Sequence, residues 1–297
     1  MESNMRSSAI FVAILSAVGS FELAAVAATP ATVIFKPVDP WNIDYSDDSC
    51  ALRRNFSDGK RRISLEMRQF SPDITFYLTL ASAEIKMSSG FPKAGFAPDS
   101  EMRTIKPPVY LQYGSGVTGM QWPDRLLTPE EVQAAAKGTS WDPVIRDRRE
   151  AKVTGLNLAG RLPPIFLQTG EMHRPMVAMR ACLDELMTHW GIDAQAQHSL
   201  SQTVKPLDWE KWVPKIQADY PAEMLSKLKS GIVRVRLTID GTGKPISCHL
   251  QMKSQDPAFE TTACGRMLKF ARFSPALDAG GKPIASYWTN TINYLVN

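Results

Sequence analysis

The chain has 297 residues, 44% of them hydrophobic and 22% charged, with a formal charge of +4 at neutral pH. That length suits two modest domains, and the balanced charge with ordinary apolar content excludes a disordered tail. The mild positive excess permits contact with anionic lipid or polymer without specifying it.

Residues 1–28 read as a signal peptide. Arg6 and Glu2 lie in a short polar start, Ala9 to Gly19 is apolar, and Ala25-Val26-Ala27-Ala28 offers the small residues of a cleavage site, so the mature chain begins near Ala28 or Thr29. The competing reading is an uncleaved inner-membrane anchor, since Ala9 to Ala28 would just reach across a hydrocarbon core of about 30 Å. Glu22 inside that span and Arg6 as its basic flank favour cleavage. Export makes the periplasm the expected location, where nucleic acid is not an expected partner. Cleavage also raises the net charge by one.

Residues 39–195 read as an N-terminal domain of mixed α and β character. Ile63, Leu65 and Met67 alternate with Ser64, Glu66 and Arg68, and Phe76, Leu78 and Leu80 alternate with Tyr77 and Thr79, which predicts a hairpin turning at Ser71-Pro72-Asp73. Further strands are expected at Val109 to Tyr113 and Ile165 to Gln168. Thr128-Pro129-Glu130-Glu131 supplies an N-cap, a first-turn proline and a capping-box glutamate for a helix over Val132 to Lys137. A stronger helix opens at Pro175, with Met179, Leu183, Leu186 and Trp190 as its apolar stripe and Gly191 as its stop.

Residues 196–219 turn polar, with Ser199, Ser201, Pro206 and Pro214, and are expected to be a linker. Beyond it, residues 220–297 spell a ββαβ unit, an antiparallel sheet with one packed helix. Val233, Val235, Leu237 and Ile239 alternate with Arg234, Arg236, Thr238 and Asp240, the repeat of a strand with one buried face. Asp240-Gly241-Thr242-Gly243 turns the chain, and Pro245 opens a return strand whose inner face is Ile246, Cys248, Leu250 and Met252. A helix follows from Asp256-Pro257 through Phe259, Ala263, Met267 and Phe270, ending at Phe273-Ser274-Pro275-Ala276. Gly280-Gly281-Lys282-Pro283 is another turn. Ser286 to Val296, aromatic and β-branched, is the closing strand. The fold class expected for the whole chain is α+β in two domains.

Tyr220-Pro221, the hairpin around Ile239-Asp240-Gly241-Thr242-Gly243, Phe273-Ser274-Pro275-Ala276 and Gly280-Gly281-Lys282-Pro283 together resemble the C-terminal domain of the TonB family. The resemblance is confined to about residues 215–297. It implies a periplasmic module that binds protein segments by strand addition, and in the energy-transducing members a link to outer-membrane transport. Those members also carry a long Pro- and Lys-rich spacer and an anchor histidine. Here no such spacer exists and no His precedes His173. The expected function is therefore non-enzymatic partner recognition along the closing strand, at Ser286, Tyr287, Trp288, Thr289, Asn290, Thr291, Ile292, Asn293 and Tyr294, with Tyr287, Trp288 and Ile292 giving specificity. The partner would be an envelope or outer-membrane protein, and self-pairing of the same edge would give a homodimer. Two alternatives are an anchored transporter-energising protein, and a periplasmic hydrolase or ligand-binding protein using the N-terminal domain.

An even set of cysteines in an oxidising compartment reads as disulfides, and three connectivities are open. Cys248 with Cys264 and Cys50 with Cys182 are preferred, because each pair then closes one domain. Other motifs carry less. Gly114-Ser115-Gly116-Val117-Thr118-Gly119 has dinucleotide-loop spacing, yet Trp122-Pro123 breaks the helix that should follow, which leaves a plain glycine loop. Met172, His173, Met176, Met179, Met187 and His189 have the softness that copper(I) favours, but core packing and helix ends account for them. No metal, cofactor or catalytic residue is expected. Lys60-Arg61-Arg62 and Arg146-Asp147-Arg148-Arg149 are the densest basic runs, and solvated faces are their expected role over an anionic-surface contact.

Overall fold

Alternation of apolar residues organises the first two thirds of the chain around one large sheet. The computed structural model describes residues 31–85, 93–98, 101–105, 108–137, 140–160, 164–218, 221–228, 231–252 and 257–294. The expected signal segment therefore lies outside the described residues. Among them the sheet has eleven strands, antiparallel except where Val33–Pro37 runs parallel to Ile165–Leu167. The predicted hairpin is present, with Arg62–Gln69 paired to Phe76–Ser82. Ile63, Leu65 and Met67 are buried on one face of it. The glycine motif lies in the turn between the strands Val109–Gln112 and Thr118–Asp124, so a strand follows it where a dinucleotide loop needs a helix.

Helices cover the apolar face of this sheet. The capping box at Thr128 forms: its hydroxyl accepts from the Glu131 amide at 3.2 Å while the Glu131 carboxylate accepts from the Thr128 amide at 3.0 Å. The helix it starts, Pro129–Ala135, is shorter than its pattern suggested. The helix His173–His189 stops at Gly191, whose φ of +75° suits a residue without Cβ. It packs on the strand Ser49–Ser57, and the Cys50–Cys182 disulfide joins them with a Cα separation of 6.2 Å.

The C-terminal segment builds a second hydrophobic cluster. Its sheet runs return strand, central strand, closing strand, namely Pro245–Met252, Gly231–Ile239 and Ser286–Tyr294, all antiparallel. Val233, Val235, Leu237 and Ile239 are fully buried against Phe259, Ala263 and Met267 of the helix Pro257–Phe270. Cys248–Cys264 ties that helix to the return strand. The fold is α+β, with ββαβ connectivity in this segment.

Three expectations change. The sheet begins before residue 39, since Val33–Pro37 is an integral strand with Phe35 fully buried. The stretch 196–219 is no bare connection: Lys205–Pro206 pairs with Phe273–Ser274, and the helix Trp209–Ala218 sends Trp212 and Ile216 into the second cluster. Polarity on three sides of that helix hid its one apolar side. Finally, register shifts in the hairpin leave Ile246 57% exposed instead of inward.

The outward face of the central strand is covered as well, by residues of the N-terminal region that meet Arg234 and Arg236. Arg236, only 3% exposed, lies 3.7 Å from the centre of the Trp190 ring and pairs with Asp48 at 3.3 Å. Arg234 stacks over Phe70 and Tyr77, and Gln251 donates to the Phe70 carbonyl at 2.7 Å. Burial is the main force pulling the Arg236 guanidinium down to about 10, opposed by Asp48. It remains charged at neutral pH.

Two stability outcomes follow from this architecture. Cys50→Ser should lower the denaturant midpoint more than Cys264→Ser, because sequence separations of 132 and 16 residues correspond to different loop entropies, roughly 5 against 3 kcal/mol. Gly243 has a φ of +84° and a Cβ there would collide with the Phe273 carbonyl oxygen, so Gly243→Ala should cost about 2 kcal/mol or more. A melting temperature unchanged in either comparison would contradict these assignments.

Candidate partner-binding edge

The closing strand pairs along its full length with the central strand, from Ile239↔Ser286 to Gly231↔Tyr294, and among the described residues it has no strand on its other side. In an antiparallel ladder, alternate residues turn their backbone groups to opposite sides. Two contacts fix which residues face away. The Thr291 amide donates to the Asn290 side chain at 2.8 Å, and the Ala285 carbonyl accepts from Gln197 Nε2 at 3.3 Å. Odd-numbered positions therefore point outward: Tyr287 and Thr289 present backbone groups to a further strand, and Thr291 presents its carbonyl while its amide is held by the Asn290 side chain. Five residues of such edge span roughly 17 Å.

Side chains of the same strand are committed elsewhere. Trp288 packs with Phe273 and Trp212 at ring separations of 5.1 and 6.2 Å, and Ile292 lies in the second cluster at 7% exposure. Tyr287 crosses the strand's opposite face to meet Trp190 edge-on at 5.8 Å. Burial, with Asp73 and Asp184 nearby, pushes its phenol up, so the hydroxyl keeps its proton. This corrects the expectation that Tyr287, Trp288 and Ile292 select a partner: all three help hold the sheet in place. Ser286 is buried, and its hydroxyl donates to Gln197 Oε1 at 2.6 Å.

Beside this edge lies a cleft of about 630 Å³. Ser286 to Thr289 form one wall, and the turn after Arg62–Gln69 with the helices Pro143–Lys152 and His173–His189 form the other. The far wall carries a buried ion network. Glu150, with a side chain 3% exposed, receives both terminal nitrogens of Arg180, at 2.6 and 3.0 Å, and His173 Nδ1 lies 3.2 Å away. Asp147 completes a group whose oxygens and imidazole could converge on a cation. Arg180 and Arg146 stand within 4 Å of the same carboxylates, however, and their charge repels one. Nearby, His198 pairs with Asp184 at 3.0 Å.

Of the remaining sequence candidates, Met176, Met187 and Arg146 line the cleft and His173 joins its ion network. Met172, Met176, Met179 and Met187 are buried packing residues. Lys60, Arg62 and Arg148 are exposed, as expected of solvated faces, whereas Arg61 pairs with Asp58 and covers Phe35, and Arg149 is buried and donates to the carbonyls of Leu126 and Phe96. In the N-terminal region, burial pushes the Asp124 carboxyl up against the pull of Arg103, Trp122 and Arg125, which enclose it in an ion pair away from the cleft. Sequence reasoning missed Gln197, Arg180 and Glu150. Their signal is tertiary only.

Comparison with known proteins bears on the C-terminal segment. The family model described as Gram-negative bacterial TonB protein C-terminal matches residues 216–296. No curated protein matches the chain. The match begins inside the helix Trp209–Ala218 and takes in the three-stranded sheet, the helix Pro257–Phe270 and the closing strand. No helix among the described residues is long and apolar enough to cross a membrane, which leaves β-barrels unaddressed.

Removing Arg180 would strand a buried carboxylate. Arg180→Met should cost about 3 kcal/mol, and combining it with Glu150→Gln should recover a large part of the loss. Urea unfolding of both single variants and the double variant measures this coupling, and strict additivity would refute the pairing.

Proposed function

We propose that this chain is a periplasmic, non-enzymatic binding protein that takes up an extended segment of an envelope protein by adding it to the closing strand at Tyr287, Thr289 and Thr291. The observation that carries this reading is the one-sided pairing of that strand, among the described residues, beside a cleft of about 630 Å³. Main-chain hydrogen bonds would supply affinity, and the cleft walls would supply selection. The match to the TonB C-terminal model supports a role linked to envelope transport. Two disulfides suit an oxidising compartment. The titratable groups around the cleft are tied to one another, Glu150 to Arg180 and Asp184 to His198, which favours binding over catalysis. Self-pairing of the same edge would compete with the partner, giving a homodimer that dissociates as partner is added.

The orientation of Thr291 yields a discriminating variant. Its amide faces away from the central strand, so Thr291→Pro should leave the sheet intact while deleting a donor that a guest would take over from the Asn290 side chain and crowding the incoming strand. Crosslinked partner from a cell-envelope extract should drop at least tenfold with an unchanged melting temperature. Undiminished capture would refute strand addition here.

A further inference from the structure

Exposed aromatic and basic side chains gather around the helix Trp209–Ala218, beside the second cluster. The helix Trp209–Ala218 lies against the end of the helix Pro257–Phe270, and the chain just before it is fastened there: Lys205 pairs with Ser274, and the Leu207 amide donates to the Arg272 carbonyl at 2.8 Å. Trp212 turns inward and its indole donates to the Leu207 carbonyl. Its neighbours turn outward, leaving Trp209 55% and Leu207 47% exposed. Such amphipathic rings at a polar surface are what an interfacial environment stabilises.

Cations surround these residues. Lys215 and Lys269 stand 5.4 and 5.2 Å from the centre of the Phe270 ring, so their charges rest on an aromatic face instead of a carboxylate. Lys205 and Arg272 flank the same surface, both exposed. Lys211 is partly neutralised by Asp208 at 3.2 Å, and Glu210 adds one more negative charge. The balance stays positive. We infer that this face docks on an anionic bilayer, with Trp209 and Leu207 entering the headgroup layer while Lys205, Lys215, Lys269 and Arg272 meet acidic lipid. Charge complementarity selects the lipid, and the exposed aromatic and aliphatic pair separates a bilayer from a merely charged polymer, which offers no apolar layer to enter. This surface uses none of Tyr287, Thr289 and Thr291, the outward positions of the closing strand.

Co-sedimentation of the purified protein with phosphatidylcholine vesicles, with and without phosphatidylglycerol, tests this. Binding should require phosphatidylglycerol and weaken with salt. Lys215→Gln with Lys269→Gln should lower partitioning roughly twenty-five-fold, from about fivefold per lysine near an anionic surface. Trp209→Ser should weaken binding at every salt concentration with little change in its salt dependence, and melting temperatures should not move. Equal binding to pure phosphatidylcholine, no binding to either vesicle, or indifference to the lysine pair would overturn the proposal. Equal uptake of heparin, unaffected by Trp209→Ser, would also overturn it and reassign the face to soluble polyanions.

Discussion

The contact between Arg236 and the Trp190 ring, backed by Asp48, decides what the C-terminal sheet can offer. A buried guanidinium is costly, and here a carboxylate and an aromatic face offset that cost. Because this cation anchors the outward face of the central strand to the larger sheet, neither face of the three-stranded sheet is left to a partner. The helix Pro257–Phe270 takes one and the N-terminal region takes the other. What remains is backbone at the sheet's two edges, the return strand and the closing strand, and the closing strand is the one beside the cleft. The fit is polar and incomplete: Arg236 Nε, Trp190 Nε1 and Gln251 Oε1 lack hydrogen-bond partners among the described residues.

The elements legible in the sequence were those where one period governs a run. Val233 to Ile239, the Ile63 to Met67 strand, the Thr128 capping box and the stop at Gly191 all carry their own local reasons, and each recurs in the structure. Both disulfides followed from assigning each cysteine pair to one region. Strands such as Gly155–Ala159 and Lys93–Ala97 escaped because they are short and gain their order from neighbours distant in sequence. The outward arginines of the central strand misled most. An alternating Arg234-Val235-Arg236 pattern signals solvent on one side, and only tertiary packing shows aromatic rings lying over those cations.

The same distinction applies to the candidate edge. Its position at Ser286 to Tyr294 was readable from composition and turn chemistry. Its outward positions were not, since strand parity depends on the register with Gly231–Ile239. Nor could the sequence reveal that Trp288 and Ile292 serve the core. The charged wall opposite shows a similar economy: Glu150 and Arg180 lie far apart along the chain, and their pairing gives the cleft a firm polar side without isolated charge.

Gln197 gives this edge a direction. By holding the Ala285 carbonyl and the Ser286 hydroxyl, it occupies the place where the next residue of a guest would dock, so the track is stoppered at one end and open towards Thr291. A guest strand docked as proposed would meet that stopper and go no further. Its alignment would be counted from a fixed origin, and a single-residue insertion in it would invert every contact beyond.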